Sequence, residues 1–316
     1  MRRVLASIAS LALLAASSKA QPPQHRGPWN AEVVATKNLT LPGATLQVDF
    51  AAGNFDLPQD KILPWVQRAA QAVVVYYGKF PVRARVLIIP IPGEQGIVQG
   101  TTWGGMHGDP GFTRIRLGQH TTVQDLAEDW TMTHELTHMA FPTLPDDQHW
   151  MEEGLATYIE PIARVQAGEL QPAQVWHDMI DGMPKGEPAA NDQGMDRTHT
   201  WGRTYWGGAL FCLVADVEIH KQTGNRKGLQ DALRAIVAAG GTIDHDWPVM
   251  KALEVGDQAT DTTVLTSMYK QWSSNPMPVD LPTLWQQLGV SGASASFDSK
   301  APLASVRDSI MARRKD

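Results

Sequence analysis

Apolar and polar positions alternate over A-T-L-Q-V-D-F (44–50), which predicts a β-strand. From Asp60 to Tyr77 the apolar spacing turns helical, and Gly78 marks its end. R-A-R-V-L-I-I-P (83–90) reads as a strand. A Gly-rich stretch, G-T-T-W-G-G-M-H-G-D-P-G (100–111), leads into another, F-T-R-I-R-L. Thr121 or Thr122 caps a helix expected to run to about Phe141, where Pro142 stops it. A further helix is expected from near His149 to about Ile162. Then comes a long polar loop, 183–196, and a buried helix over Y-W-G-G-A-L-F-C-L-V-A-D-V-E-I-H (205–220). Helical patterns recur at 229–237 and 284–290, a short strand falls around Ser296–Phe297, and a last helix starts from about Pro302. The expected class is α+β, with a mixed α/β lobe (21–122), a mainly helical lobe (123–290) and a C-terminal strand and helix (291–316) packed on it. Any chemistry is expected at the junction of the two lobes. The chain shows no repeat and no low-complexity tract.

Composition adds a compartment. Arg2 and Arg3 precede an Ala/Leu-rich run from Val4 to Ser17, and Ser18-Lys19-Ala20 sets small residues where a signal peptidase reads. Residues 1–20 are therefore expected to be a cleaved signal, and the run is too short for a spanning helix. Pro-, Gln- and Gly-rich residues 21–30 read as a loose leader. Removing 1–20 lowers the net charge from −6 to −9, an acidic balance that argues against a nucleic-acid partner. Cys212 is the one cysteine, so no internal disulfide forms, and its apolar helical setting makes it a small buried hydrophobe. A periplasmic or secreted protein follows, without a membrane span after processing, and a monomer is expected.

The chemistry gathers in T-H-E-L-T-H-M (133–139). His134 and His138 stand four apart on a helix, so both imidazoles share one face and can bind one ion. Glu135, about 100° round the helix, can take a proton from water at that ion without binding the metal itself. A third ligand is needed, and W-M-E-E-G-L-A-T-Y-I-E (150–160) offers Glu152, Glu153 and Glu160. Three protein ligands leave an open position, unlike a structural zinc site.

These segments resemble the gluzincin zinc metallopeptidases, particularly the aminopeptidase N and glycyl aminopeptidase families. Their second ligand segment, W-L-N-E-G-F-A, is similar to W-M-E-E-G-L-A and implies Glu153 as third zinc ligand. Glu160 shares the helix face of Glu153 and is placed to orient a ligand histidine. The connection F-P-T-L-P-D-D-Q-H is shorter than in the aminopeptidase N family. That resemblance implies a thermolysin-like zincin unit, with the catalytic oxyanion supported by Tyr205, which matches a Y-x-x-G sequence with Gly208. It also aligns G-G-M-H-G (104–108) with the family's G-A-M-E-N edge strand, so Gly105, Met106 and His107 are expected beside a peptide substrate. His107 stands where the family carries a Glu that holds a free amino terminus, and a histidine cannot make that pair. Asp129-Trp130 is similar to a D-W in glycyl aminopeptidase relatives; Trp130 is expected in the core and Asp129 behind the ligands. His199 and Arg203 are candidates for the cleft wall. His120, His149, His177, His220 and His245 carry no usable pattern. The expected function is an exported peptidase using one zinc ion on peptide or protein substrates. The alternative is an inactive gluzincin-fold protein that binds peptides or maintains the envelope. The residues do not choose between endopeptidase and aminopeptidase action.

Overall fold

Leu46, Val48 and Phe50 alternate with polar residues and are fully buried, which fixes one face of strand β2. The computed structural model describes residues 31–106, 109–291 and 296–313; the expected signal and leader, and His107, lie outside them. The first half folds as β1 (Val33–Leu41), β2 (Ala44–Ala51), α1 (Gln59–Tyr77), β3 (Ala84–Ile91), β4 (Ile97–Met106) and β5 (Asp109–Gly118). The five strands form one mixed sheet in the order β1-β2-β3-β5-β4. β2, β3 and β5 run parallel, while β1 and β4 pair antiparallel at the two edges. Helix α1 makes the crossover that a parallel β2–β3 pair requires. It ends where Gly78 adopts a left-handed conformation at φ 80° and its N–H bonds to the Val74 carbonyl.

One face of the sheet packs on the helices and carries the main core. The other holds a small cluster of Ala51, Leu87 and Phe112 with Trp103 against it. Strands β1 and β4 are not predicted by the hydropathy pattern. β1 is mostly exposed, so its sequence lacks a buried stripe. In β4 the glycines disguise a strand as a turn.

The second half comprises α2 (Val123–Glu128), α3 (Thr131–Thr137), α4 (His149–Gln166), α5 (Pro172–Gly182), α6 (Gly208–Gln222), α7 (Leu229–Ala238), α8 (Val249–Thr260), α9 (Val264–Trp272) and α10 (Leu281–Leu288). A two-residue pair, β6 (Val290–Ser291) with β7 (Ser296–Phe297), and α11 (Ala304–Met311) complete it. The single helix expected over 121–141 is broken. Asp129 has an extended backbone, and its carboxylate accepts from Thr131 N at 2.9 Å and Met132 N at 3.0 Å. It thus satisfies the free N–H groups of a new helix, α3, and Trp65 Nε1 fixes it from α1 at 2.9 Å. The 183–196 loop is anchored, with Met183, Asp192 and Met195 buried and Met195 N donating to Trp272 O at 2.8 Å. No described helix is long and apolar enough to cross a membrane.

Candidate active site

Helix α3 and the 3-10 turn His138–Ala140 that continues it face α4, with His134 and His138 on one side and Glu153 on the other. His134 Nε2 lies 3.0 Å from Glu153 Oε2, and His138 Nε2 lies 3.7 Å from the same oxygen. Each offers one ligand atom, and these atoms all fall within 4.8 Å of one another. Tetrahedral zinc with bonds of about 2.1 Å sets its donors about 3.4 Å apart. The two measured separations bracket that value, so this donor set fits zinc. Burial pushes the His138 imidazole down to about 4, which leaves it neutral with a lone pair to give. Burial also works against the charge on Glu153, but hydrogen bonds from His134 and His149 outweigh it and hold the carboxyl far below its ordinary value.

His149 is a site residue that no sequence pattern singled out. Its ring nitrogens contact Glu152 Oε2 and Glu153 Oε1, each at 3.2 Å. Those two hydrogen bonds raise it to about 10. Glu152 in turn accepts from Leu144 N at 3.3 Å. The Glu153 carboxylate is thereby tied to the connection between α3 and α4. The i, i+3 and i, i+4 spacing of His149 to the two glutamates was the available signal.

Glu135 sits beside the His134–His138–Glu153 group, against the edge strand. Its Oε2 accepts from Thr102 Oγ1 at 2.7 Å. Burial raises its pKa, opposed by His134 and the Thr102 hydroxyl. Gly100 comes closer still, since a Cβ there would stand 2.7 Å from Glu135 Oε1. Gly104, on the same face, lies against the Ile243 carbonyl, where a Cβ would approach to 2.0 Å. Small residues at 100 and 102 therefore let β4 close on α3, and Gly104 lets it close on Ile243, while Trp103 packs beside Phe112. This corrects the expected edge-strand register. Among the described residues the strand's share of the cleft wall is Ile97 to Gly104, ahead of Gly105 and Met106. Gly105 is exposed with open space around it, Met106 closes the strand opposite Asp109, and His107 is outside the described residues.

Tyr205 lines the same cleft, of about 710 Å³. It lies in a π-helical turn, Arg203–Gly207, that opens α6. Its ring stacks on His134 at 6.3 Å. Burial pushes its hydroxyl up to about 12, with Glu153 and Glu135 adding to the shift. Helices α4 and α6 cross at Gly154 and Gly208, where a Cβ on Gly154 would stand 2.3 Å from Gly208 Cα. That contact carries Tyr205 up to Glu153.

Three other expected positions differ. Trp130 is 54% exposed rather than core, and meets His134 edge to face at 5.4 Å. Arg203 turns away from the cleft and is buried, pairing through Nε with Asp192 at 2.8 Å and donating to the Gly186 carbonyl. Glu160 bonds Arg164 at 2.8 Å rather than a ligand histidine. Burial raises Glu160 to about 7, with Arg164 opposing. Asp129 acts on α3 as a helix cap, behind the ligands but without touching them.

No protein-family model matches the chain, and no curated protein matches it. Solved structures do. An aminopeptidase N family protein from Idiomarina loihiensis superposes with a TM-score of 0.57 at 12% identity, over 81% of this chain and 49% of that one. An M1 zinc metallopeptidase variant from Deinococcus radiodurans gives 0.51 at 14% identity, over 78% and 54%. A two-domain M1 zinc metallopeptidase variant bound to L-arginine gives 0.51 at 15% identity, over 78% and 53%. The chain spans about half the length of each. At these identities the likeness is one of fold. The molecule is α+β, as expected, and related in fold to the M1 zinc metallopeptidases.

Proposed function

We propose that this chain is a zinc-dependent peptidase built on a thermolysin-like zincin unit of the gluzincin type. The observation that carries the reading is the His134–His138–Glu153 donor set beside a buried, proton-accepting Glu135 in one cleft. His134, His138 and Glu153 would hold the ion, which when bound would supply Lewis acidity toward a scissile carbonyl and toward water. Glu135 accepts the proton of the attacking water and passes it to the leaving amine; its raised affinity for a proton suits both steps. Thr102 holds the Glu135 carboxylate in place. Tyr205, kept as a neutral phenol by its raised pKa, donates its O–H to the carbonyl oxygen as that oxygen gains charge.

The test is Glu135→Gln. The variant is expected to keep one zinc per chain and to lose about 10²–10⁴-fold in peptide cleavage. A variant that keeps zinc and cleaves as fast as wild type overturns the reading. Zinc-loaded wild type that binds peptides without turnover would instead establish the inactive, peptide-binding alternative. Export is part of the proposal and rests on residues 1–20. Mass spectrometry of protein made in a Gram-negative host is expected to find a chain starting near Gln21; an intact Met1 would remove this part.

A further inference from the structure

The cleft has a direction, set by where β4 meets α3. Gly100 lies on the Glu135 carboxylate, Thr102 bonds the Glu135 carbonyl, and Gly104 lies against Thr143 and Ile243. Strand and helix therefore run in the same sense. The Ile97–Val98 end of β4 belongs with Trp130 at the start of α3, and the Gly104 end belongs with Leu144. The charged groups stand between these ends.

Both ends are apolar. At the first, Trp130 is 54% exposed and Val98 39% exposed, and both line the cleft. Large apolar groups left in water beside a reactive centre mark a surface that a ligand covers. At the other end Thr143 and Leu144 form a shared wall with a second depression of about 630 Å³. Trp247, Pro248, Met250 and Pro145 line it. The two depressions adjoin at Thr143 and Leu144, with the aromatic shelf at one end, the charged groups in the middle and the mainly apolar hollow at the other end.

A free amino terminus would need an unengaged, shielded carboxylate at one end of that groove. Among the described residues of the main cleft, Glu135 is bonded to Thr102, Glu153 is held by the histidines, and Glu152 bonds Leu144 N and His149. Asp146 and Asp246 stand exposed at the far end, where solvent screens them.

We propose that this groove takes an interior stretch of polypeptide, with large apolar side chains on both sides of the bond presented to the catalytic groups. The inference rests on the peptidase reading for its chemistry and on the groove for its specificity, so the two can be separated. Doubly blocked decapeptides, acetylated and amidated, with Leu-Phe or Ser-Asp at the centre are titrated calorimetrically into zinc-loaded Glu135→Gln protein. A matching Leu-Phe peptide with a free amino terminus is the comparison. The blocked Leu-Phe peptide is expected to bind at least as well as the free one and about tenfold better than the Ser-Asp peptide. Trp130→Ala at one end and Met250→Ala at the other, each in the Glu135→Gln background with zinc content checked, are each expected to weaken it about tenfold. Equal binding of Ser-Asp, a requirement for the free amine, or no binding of any blocked peptide overturns the inference. If wild type cuts only free amino-terminal residues, the groove assignment fails and the peptidase reading stands. If blocked apolar peptides bind selectively but wild type leaves them uncut, the groove assignment stands and the peptidase reading fails.

Discussion

His134 and His138 sit one helical turn apart, yet burial leaves them in different states. His138 is pushed down to about 4, whereas at His134 burial is outweighed by the Glu153 hydrogen bond together with the charges of Glu153, Glu135 and Glu160, which raise it above its ordinary value of 6.5. Zinc needs both rings neutral. In the metal-free protein at pH 6.5, His134 therefore holds a proton that zinc must displace. Affinity for zinc is expected to rise with pH through the range above 6.5 as that proton leaves. Calorimetry in buffers of differing ionisation enthalpy should detect proton release at pH 6.5 that fades at higher pH. Proton uptake, or no linkage, would contradict the assignment. Tyr205 gives a second test. With its hydroxyl pushed up to about 12 it remains a donor through neutral pH. Tyr205→Phe is expected to lower kcat about 10²–10³-fold with zinc content intact. An unchanged kcat would return Tyr205 to a packing role. The pairing of His134 with His138 was legible in the sequence because α-helical periodicity alone puts positions 134 and 138 on one face. His149 was not, because its role depends on where α4 lies.

At the scale of elements, one glycine pair sets the site. Gly154 follows Glu153 directly and Gly208 follows Tyr205 by three, and the two backbones touch. A Cβ at Gly154 would stand 2.3 Å from Gly208 Cα, far inside contact distance, so the helices must separate. Gly208→Ala is expected to cost about 1–3 kcal/mol in unfolding by denaturant. It should also lower activity more than zinc content, since Tyr205 moves while the ligands on α3 and α4 stay. Unchanged stability and activity would show that the crossing can yield. The glycines of β4 follow the same rule of close approach. Hydropathy counts glycine as a breaker, so G-T-T-W-G-G reads as a turn, although it forms a strand whose small residues face α3. The break at Asp129 was hidden for a related reason. The apolar spacing runs on through α2 and α3, and only the tertiary bond from Trp65 shows that Asp129 caps a new helix.

The whole molecule places a five-stranded sheet beside a helical lobe, with the cleft where edge strand β4 meets α3 and α4. The donor set spans α3 and α4, so a bound ion would clip two elements together and stabilise the fold by linkage. Free zinc at about 100 times its Kd adds about 2.7 kcal/mol. For a chain of this size, with an unfolding entropy of about 0.6 kcal/mol/K, that is about 4 °C in Tm. Calorimetric scans with zinc and with a chelator should show this difference; coincident Tm values would argue against a filled site in the native state. The sequence by itself determined the α+β class and the helical segment that carries His134, Glu135 and His138, because these depend on residue type and on periods within one element. Only the tertiary structure decided which part of the glycine-rich strand walls the cleft, that Trp130 is exposed there, that Arg203 points away from it, and that His149 holds Glu153. Each of these depends on distances between elements far apart in the chain, and such distances are set by packing at contacts like Gly154–Gly208 and Gly100–Glu135, which leave no periodic trace in the sequence.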